Sequence, residues 1–396
     1  MPNLRENQLL MLSTIIYLQG VADANGKTLG RIVDNLLNKG GLEKSRNINR
    51  IGKTNEYPCQ MTKDEWIKLL TYIKEDPELS SLTVKEGIIG ERGICAAAFV
   101  SKANDVTVAI RGSNHDYQWR DNGQGAYLSE TEQQTQYLEY LKGLSSKNVT
   151  VTGHSKGGNI AAYLAVLSDK VDRCVSFDGQ GFSKEFVEKH REKIRLNCHK
   201  ITAIEPAADI VGPLLISIAG EKKYIKTEKQ KNLLHNHRPH IMLDDSGNLR
   251  GTTEQSLQSK LINKFTVHFI STAEEPQRSY AIDGVMGFFM KDPGLVGNTQ
   301  KMKAVGILAS KVPSFILSQI KGTHASTHYY EGLKELKGIN KEFGITEENR
   351  RSLEVRSQEV LEYRKAKEAA AREKTGERTD TTRQPQTRDT FEPTRE

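Results

Sequence analysis

The chain has 396 residues, a 36% hydrophobic share and a net charge of +7. That is enough apolar material for one large α/β domain, while a mean hydropathy of -0.57 and no uncharged apolar run of roughly 18 residues exclude a conventional transmembrane helix. Nucleic acid is not an expected partner, because residues 341–396 balance 13 Lys/Arg against 13 Asp/Glu with no like-charged block.

In chain order, residues 4–19 and 28–37 read as helices. The apolar run Leu9–Leu18 before Ala22 and Ala24 mimics a secretion signal, yet Glu6 cancels Arg5 and the run equally suits a buried helix. The expected location is therefore cytoplasmic, or exported without a cleaved signal peptide. Residues 61–73 form a further helix, with Thr62 as N-cap and Glu65 three positions on. Strands are expected at 94–101 and 106–111, a helix at 129–144, and strands again at 149–152, 173–177 and 200–204. Strand and helix alternate, which places the fold in the α/β class, a mainly parallel sheet with helices on both faces. Residues 250–335 look mostly helical, and 302–320, interrupted by Lys303, Lys311 and Pro313, read as a surface helical pair suited to peripheral membrane contact. The catalytic domain is expected to span 1–340. A charged helix at 341–375 is a candidate docking segment for a protein partner, and 376–396 is expected to be a disordered tail. Cys59, Cys95, Cys174 and Cys198 show no paired spacing.

The chemistry gathers around Gly153-His154-Ser155-Lys156-Gly157, a G-x-S-x-G between a β-branched strand and an Ala-rich helix. A serine on that sharp turn stands clear of the sheet above a helix N-terminus, so Ser155 is the candidate nucleophile, and the Lys156 N–H a candidate oxyanion donor. The orienting acid should end a later strand. Asp209, on the loop after 200–205, and Asp178, at the end of the strand before it, both qualify. The base should follow, and the cluster at 235–240 offers His237 first, His240 as the alternate and His235 last. His154, inside the elbow, reads as a packing residue. The His spacings fit no zinc motif, so no metal and no cofactor are expected.

The strand at 106–111 ends in Arg111-Gly112-Ser113, followed by Trp119-Arg120-Asp121-Asn122. Here the chain resembles the class 3 (fungal-type) lipases and their bacterial lipase-like relatives, over roughly residues 85–250. The resemblance implies an α/β-hydrolase fold, an oxyanion hole made by Ser113 with Lys156, and Asp209 as the acid, since Ala208–Gly212 is similar to the family's acid segment. The chain departs from that pattern at Lys156, where an apolar residue is usual, and a cation at the mouth of the site would suit an anionic headgroup. The expected function is a serine carboxylic-ester hydrolase, a lipase or phospholipase A-type enzyme acting on a lipid or other acyl ester. A thioesterase, acyltransferase or peptidase on the same fold, or a non-catalytic scaffold, are the alternatives.

Overall fold

Residues 94–100 are apolar without a break because both faces of the strand they form are covered. The computed structural model describes residues 4–46, 57–114, 116–228, 230–290 and 296–321, all within one compact unit, Met1–Asn340. The charged helix and tail expected at 341–375 and 376–396 lie outside the described residues.

Eight strands lie side by side in chain order: β1 (Thr83–Ile89), β2 (Cys95–Val100), β3 (Val106–Ile110), β4 (Val149–His154), β5 (Val171–Phe177), β6 (Ile201–Pro206), β7 (Glu221–Ile225) and β8 (Thr252–Thr253). Strands β3 to β7 run parallel, and β1 and β2 at one end and β8 at the other join through antiparallel pairs. Among the described residues, five helices precede the sheet: α1 (Glu6–Ile15), α2 (Leu29–Asn38), α3 (Gly41–Lys44), α4 (Lys63–Glu75) and α5 (Pro77–Ser81). Five more connect its strands: α6 (Asp116–Gln124), α7 (Glu132–Gly143), α8 (Lys156–Leu167), α9 (Lys184–Lys189) and α10 (Arg191–Asn197). After the sheet come α11 (Leu257–Thr272), α12 (Gln277–Met286), α13 (Asn298–Ser310) and α14 (Val312–Lys321). The mainly parallel α/β-hydrolase sheet expected from the sequence is what forms.

The two faces carry separate cores. Ala96, Ala98, Val108, Ile110 and Val151 pack with Tyr137 and Leu141 of α7, Ile160 and Leu164 of α8, and Ile194 of α10. Cys95, Ala97, Phe99, Ala109, Val175 and Phe177 face the other way, onto Leu9, Leu12 and Ile15 of α1, Leu29 and Ile32 of α2, and Trp66 and Leu70 of α4. The run Leu9–Leu18 is thus core of this N-terminal layer. Thr62 caps α4 as expected: its hydroxyl accepts from the Glu65 N–H, and Glu65 accepts from the Thr62 N–H at 2.7 Å.

Two of the longer strands were not legible. β1 carries a register irregularity between Lys85 and Ile88, and β7 is Glu-Lys-Lys-Tyr-Ile, too charged to read as strand. Residues 302–320 do form a surface pair, α13 and α14, and no described helix is long and apolar enough to cross a membrane.

If α1 is core, truncating one of its fully buried side chains should cost core-like energy. Leu12→Ala is expected to lower unfolding free energy by about 2–5 kcal/mol in urea titration. A loss below about 0.5 kcal/mol would make the layer peripheral.

Candidate active site

Ser155 joins β4 to α8 with φ 58° and ψ -127°, a conformation that costs a non-glycine residue on the order of 1–3 kcal/mol. Its neighbours hold it there. Its N–H donates to the Phe177 carbonyl at 2.9 Å, and its carbonyl accepts from Gly158 at 2.9 Å and Asn159 at 3.2 Å. Both elbow glycines are required by contact. A Cβ on Gly153 would lie 2.3 Å from the Gly157 carbonyl carbon, and one on Gly157 would lie 2.2 Å from the Ile110 oxygen. The Lys156 N–H opens α8, where the first-turn donors have no partner within the helix.

His237 ends a short 3₁₀ turn, Leu233–His237, and its Nδ1 lies 3.1 Å from Asp209 Oδ1. The other carboxylate oxygen of Asp209 accepts from the Gly212 N–H at 2.6 Å. Asp209 is fully buried, and His237 is partly open to solvent. A carboxylate accepts, so the Nδ1 of His237 carries the proton and Nε2 keeps its lone pair; that Nε2 has no hydrogen-bond partner among the described residues. The turn sits against the elbow itself: the His154 and His237 rings are 4.8 Å apart, and His154 Nε2 lies 3.0 Å from the His237 carbonyl oxygen.

The alternates are placed elsewhere. Asp178 is fully buried, with Oδ2 3.4 Å from His154 Nε2 and neither carboxyl oxygen hydrogen-bonded among the described residues. Burial, then the neighbouring Asp209 and Glu205 carboxylates, pushes its carboxyl well above the usual range. His240 is held by Glu65, Nε2 to Oε1 at 3.0 Å. Burial opposes the charge on Glu65, but His240, the Thr62 N–H and Arg238 outweigh it and bring the carboxyl down to about 2. The glutamate that caps α4 thus engages the second histidine.

On the opposite side of the elbow, Ser113 Oγ accepts from Asn122 Nδ2 at 2.9 Å, which leaves its own O–H to donate. Asn122 is oriented in turn by Lys156, whose ammonium donates to Asn122 Oδ1 at 3.2 Å and pairs with Asp121. This corrects the expectation that Lys156 puts a cation at the mouth of the site. Its side chain is buried, with burial pulling its ammonium below the usual range and Asp121 supporting the charge. Sequence adjacency to Ser155 locates the backbone but not the direction of a four-carbon side chain, which is set by Asp121, 35 residues away in the chain. His154 is likewise more than packing, since it touches the turn that carries His237.

His154, Asp178 and His237 bring ligand atoms within 4.8 Å of one another, a donor set a transition ion could use. His154 Nε2 is already committed to the His237 carbonyl, and His237 Nδ1 to Asp209, so metal binding would require the first of these bonds to break.

Fold and elbow together define a lipase-like α/β-hydrolase. The chain belongs to the Mbeg1-like family, a lipase-like family whose model matches residues 85–287, from β1 to just beyond α12. Among solved structures, M37 lipase is similar at 15% identity, with 54% of this chain and 71% of that chain covered and a TM-score of 0.31. No curated protein matches the chain.

The placement of Lys156 has a direct test. Lys156→Met would leave the Asp121 carboxylate buried without its cation, and unfolding free energy should drop by about 3–5 kcal/mol. A change within about 0.5 kcal/mol, as for a solvated lysine, would return the side chain to the surface.

Proposed function

We propose that the chain is a serine hydrolase of lipid carboxylic esters, acting through Ser155, His237 and Asp209 by way of a covalent acyl-enzyme. The observation that carries this reading is the Asp209–His237 pair set beside the strained Ser155 elbow. His237 Nε2 takes the Ser155 hydroxyl proton as Oγ bonds to the acyl carbon. The carbonyl oxygen becomes an oxyanion, stabilised by the Lys156 N–H and the Ser113 hydroxyl, while Asp209 holds the imidazolium. Collapse breaks the ester C–O bond, and His237 returns the proton to the leaving alkoxide. Water, deprotonated by the same His237, then attacks the acyl-enzyme and releases the acid and Ser155.

A lipid rather than a peptide or a soluble thioester is supported by the outer helices. Met302, Val305, Val312, Ile316 and Leu317 are exposed on α13 and α14, and Lys303 and Lys311 accompany them without one acidic residue in either helix. Such a surface suits peripheral contact with an anionic bilayer. Lys156, being buried, offers no cation to a headgroup, so the substrate is read as a lipid acyl ester without a headgroup preference.

A fluorophosphonate should label the wild type and fail to label folded Ser155→Ala; equal labelling would remove Ser155 from the mechanism. In the same assay series, Asp209→Asn should lose on the order of 10⁴ in kcat. His237→Ala should be nearly inactive, while Asp178→Asn and His240→Ala keep most turnover. The reverse pattern would reassign acid and base. For the lipid surface, full-length protein should co-sediment with phosphatidylserine vesicles and lose that binding on Ile316→Glu with Leu317→Glu. Unchanged sedimentation would separate α13 and α14 from any membrane contact.

A further inference from the structure

One hydroxyl lies where three parts of the site meet. Tyr17 follows α1 in the N-terminal layer, outside the family segment 85–287, and is buried. Its oxygen is 3.2 Å from His154 Nδ1 and 3.3 Å from the carbonyl oxygen of the same residue, immediately before Ser155. Gly112, next to Ser113, closes on it from the oxyanion side: a Cβ there would stand 1.9 Å from the Tyr17 oxygen. Glycine is needed at 112 because Tyr17 fills the space.

The third part is the base loop, reached through His154. A carbonyl can only accept, so the bond at 3.0 Å to the His237 oxygen requires the proton of His154 on Nε2. The Nδ1 is then a lone-pair acceptor facing the Tyr17 hydroxyl, whose single proton is shared between that nitrogen at 3.2 Å and the His154 carbonyl oxygen at 3.3 Å. With the other tautomer, two lone pairs would face each other at the His237 carbonyl and drive the loop off the elbow. Burial reinforces the arrangement, keeping the Tyr17 hydroxyl protonated and the His154 ring neutral.

We propose that Tyr17 is a positioning residue of the hydrolase: its hydroxyl fixes the His154 tautomer that grips the His237 backbone, and so sets the base against Ser155. The proposal rests on the reading of Ser155 and His237 as nucleophile and base. Tyr17 touches no substrate; it acts through His154. An element outside the matched family segment thereby sets the geometry of the catalytic one.

The test uses the full chain and a soluble short-chain ester. Tyr17→Phe keeps the ring and removes only the donor; kcat should fall about 10- to 100-fold, the range expected of a small misplacement at a catalytic group, with KM nearly unchanged. His154→Phe should lose at least as much, and the double variant should be no worse than His154→Phe, because the two act in one chain. His154→Gln, whose amide N–H can reach the His237 carbonyl, should recover part of the loss and be insensitive to Tyr17→Phe. Independently of turnover, nitrogen-15 shifts of His154 in the wild type should report the Nε2–H tautomer, a readout that stands even if Tyr17→Phe fails to fold. A Tyr17→Phe enzyme with wild-type kcat, losses that multiply in the double variant, or an Nδ1–H tautomer would each overturn the proposal. A wild type that resists fluorophosphonate would instead overturn the catalytic reading beneath it.

Discussion

Parallel strands laid down in chain order impose a one-sided sheet. Each step from β3 to β6 moves one strand over in the same direction, and right-handed crossovers then deliver every connecting helix to the same face. Helices α7, α8 and α10 follow that rule and bury Val108, Ile110 and Val151. Ala97, Phe99, Val175 and Phe177 would be left to water unless another part of the chain covered them. The layer of α1 to α5 does so, and in covering the sheet it brings Glu65 to His240 and, just after α1, Tyr17 to His154. Packing necessity and site geometry are met by the same layer.

Buried polar groups organise the rest of the site. The pair of Lys156 with Asp121 contributes little net stability in return for its desolvation, but it fixes which way the Asn122 amide points. With Oδ1 turned to the ammonium, Nδ2 meets Ser113, and the serine hydroxyl keeps its proton to donate. On the other side, three buried carboxyls crowd together. Burial and mutual repulsion raise Asp178 and Glu205, while the donors, Gly212 N–H and His237 Nδ1–H, both go to Asp209.

How much of this was legible follows from the range of each signal. Strand, turn and helix around Ser155 are neighbours in sequence, so the elbow could be read directly, with glycines placed where no side chain fits. Asp209 and His237 could be named as candidates because strand ends and polar loops have local signatures; that they meet is a tertiary fact. The orientation of Lys156 depends on Asp121, and the part played by His154 depends on His237 and Tyr17, all far away in the chain. β7 escaped because its Lys-rich composition lacks the apolar pattern that marked the inner strands.

The placement of α1 also has a consequence in time. Its apolar side chains are synthesised long before the sheet they cover, since they bury against β3, β4 and β5, the last of which ends at Phe177. At ribosomal rates of roughly 5–20 residues per second, α1 waits about 8–32 seconds before the strands beneath it exist. Until then Leu9, Leu10, Leu12 and Ile15 have only the helices of their own layer, such as α4, to pack against. A helix made early must wait for the sheet it covers.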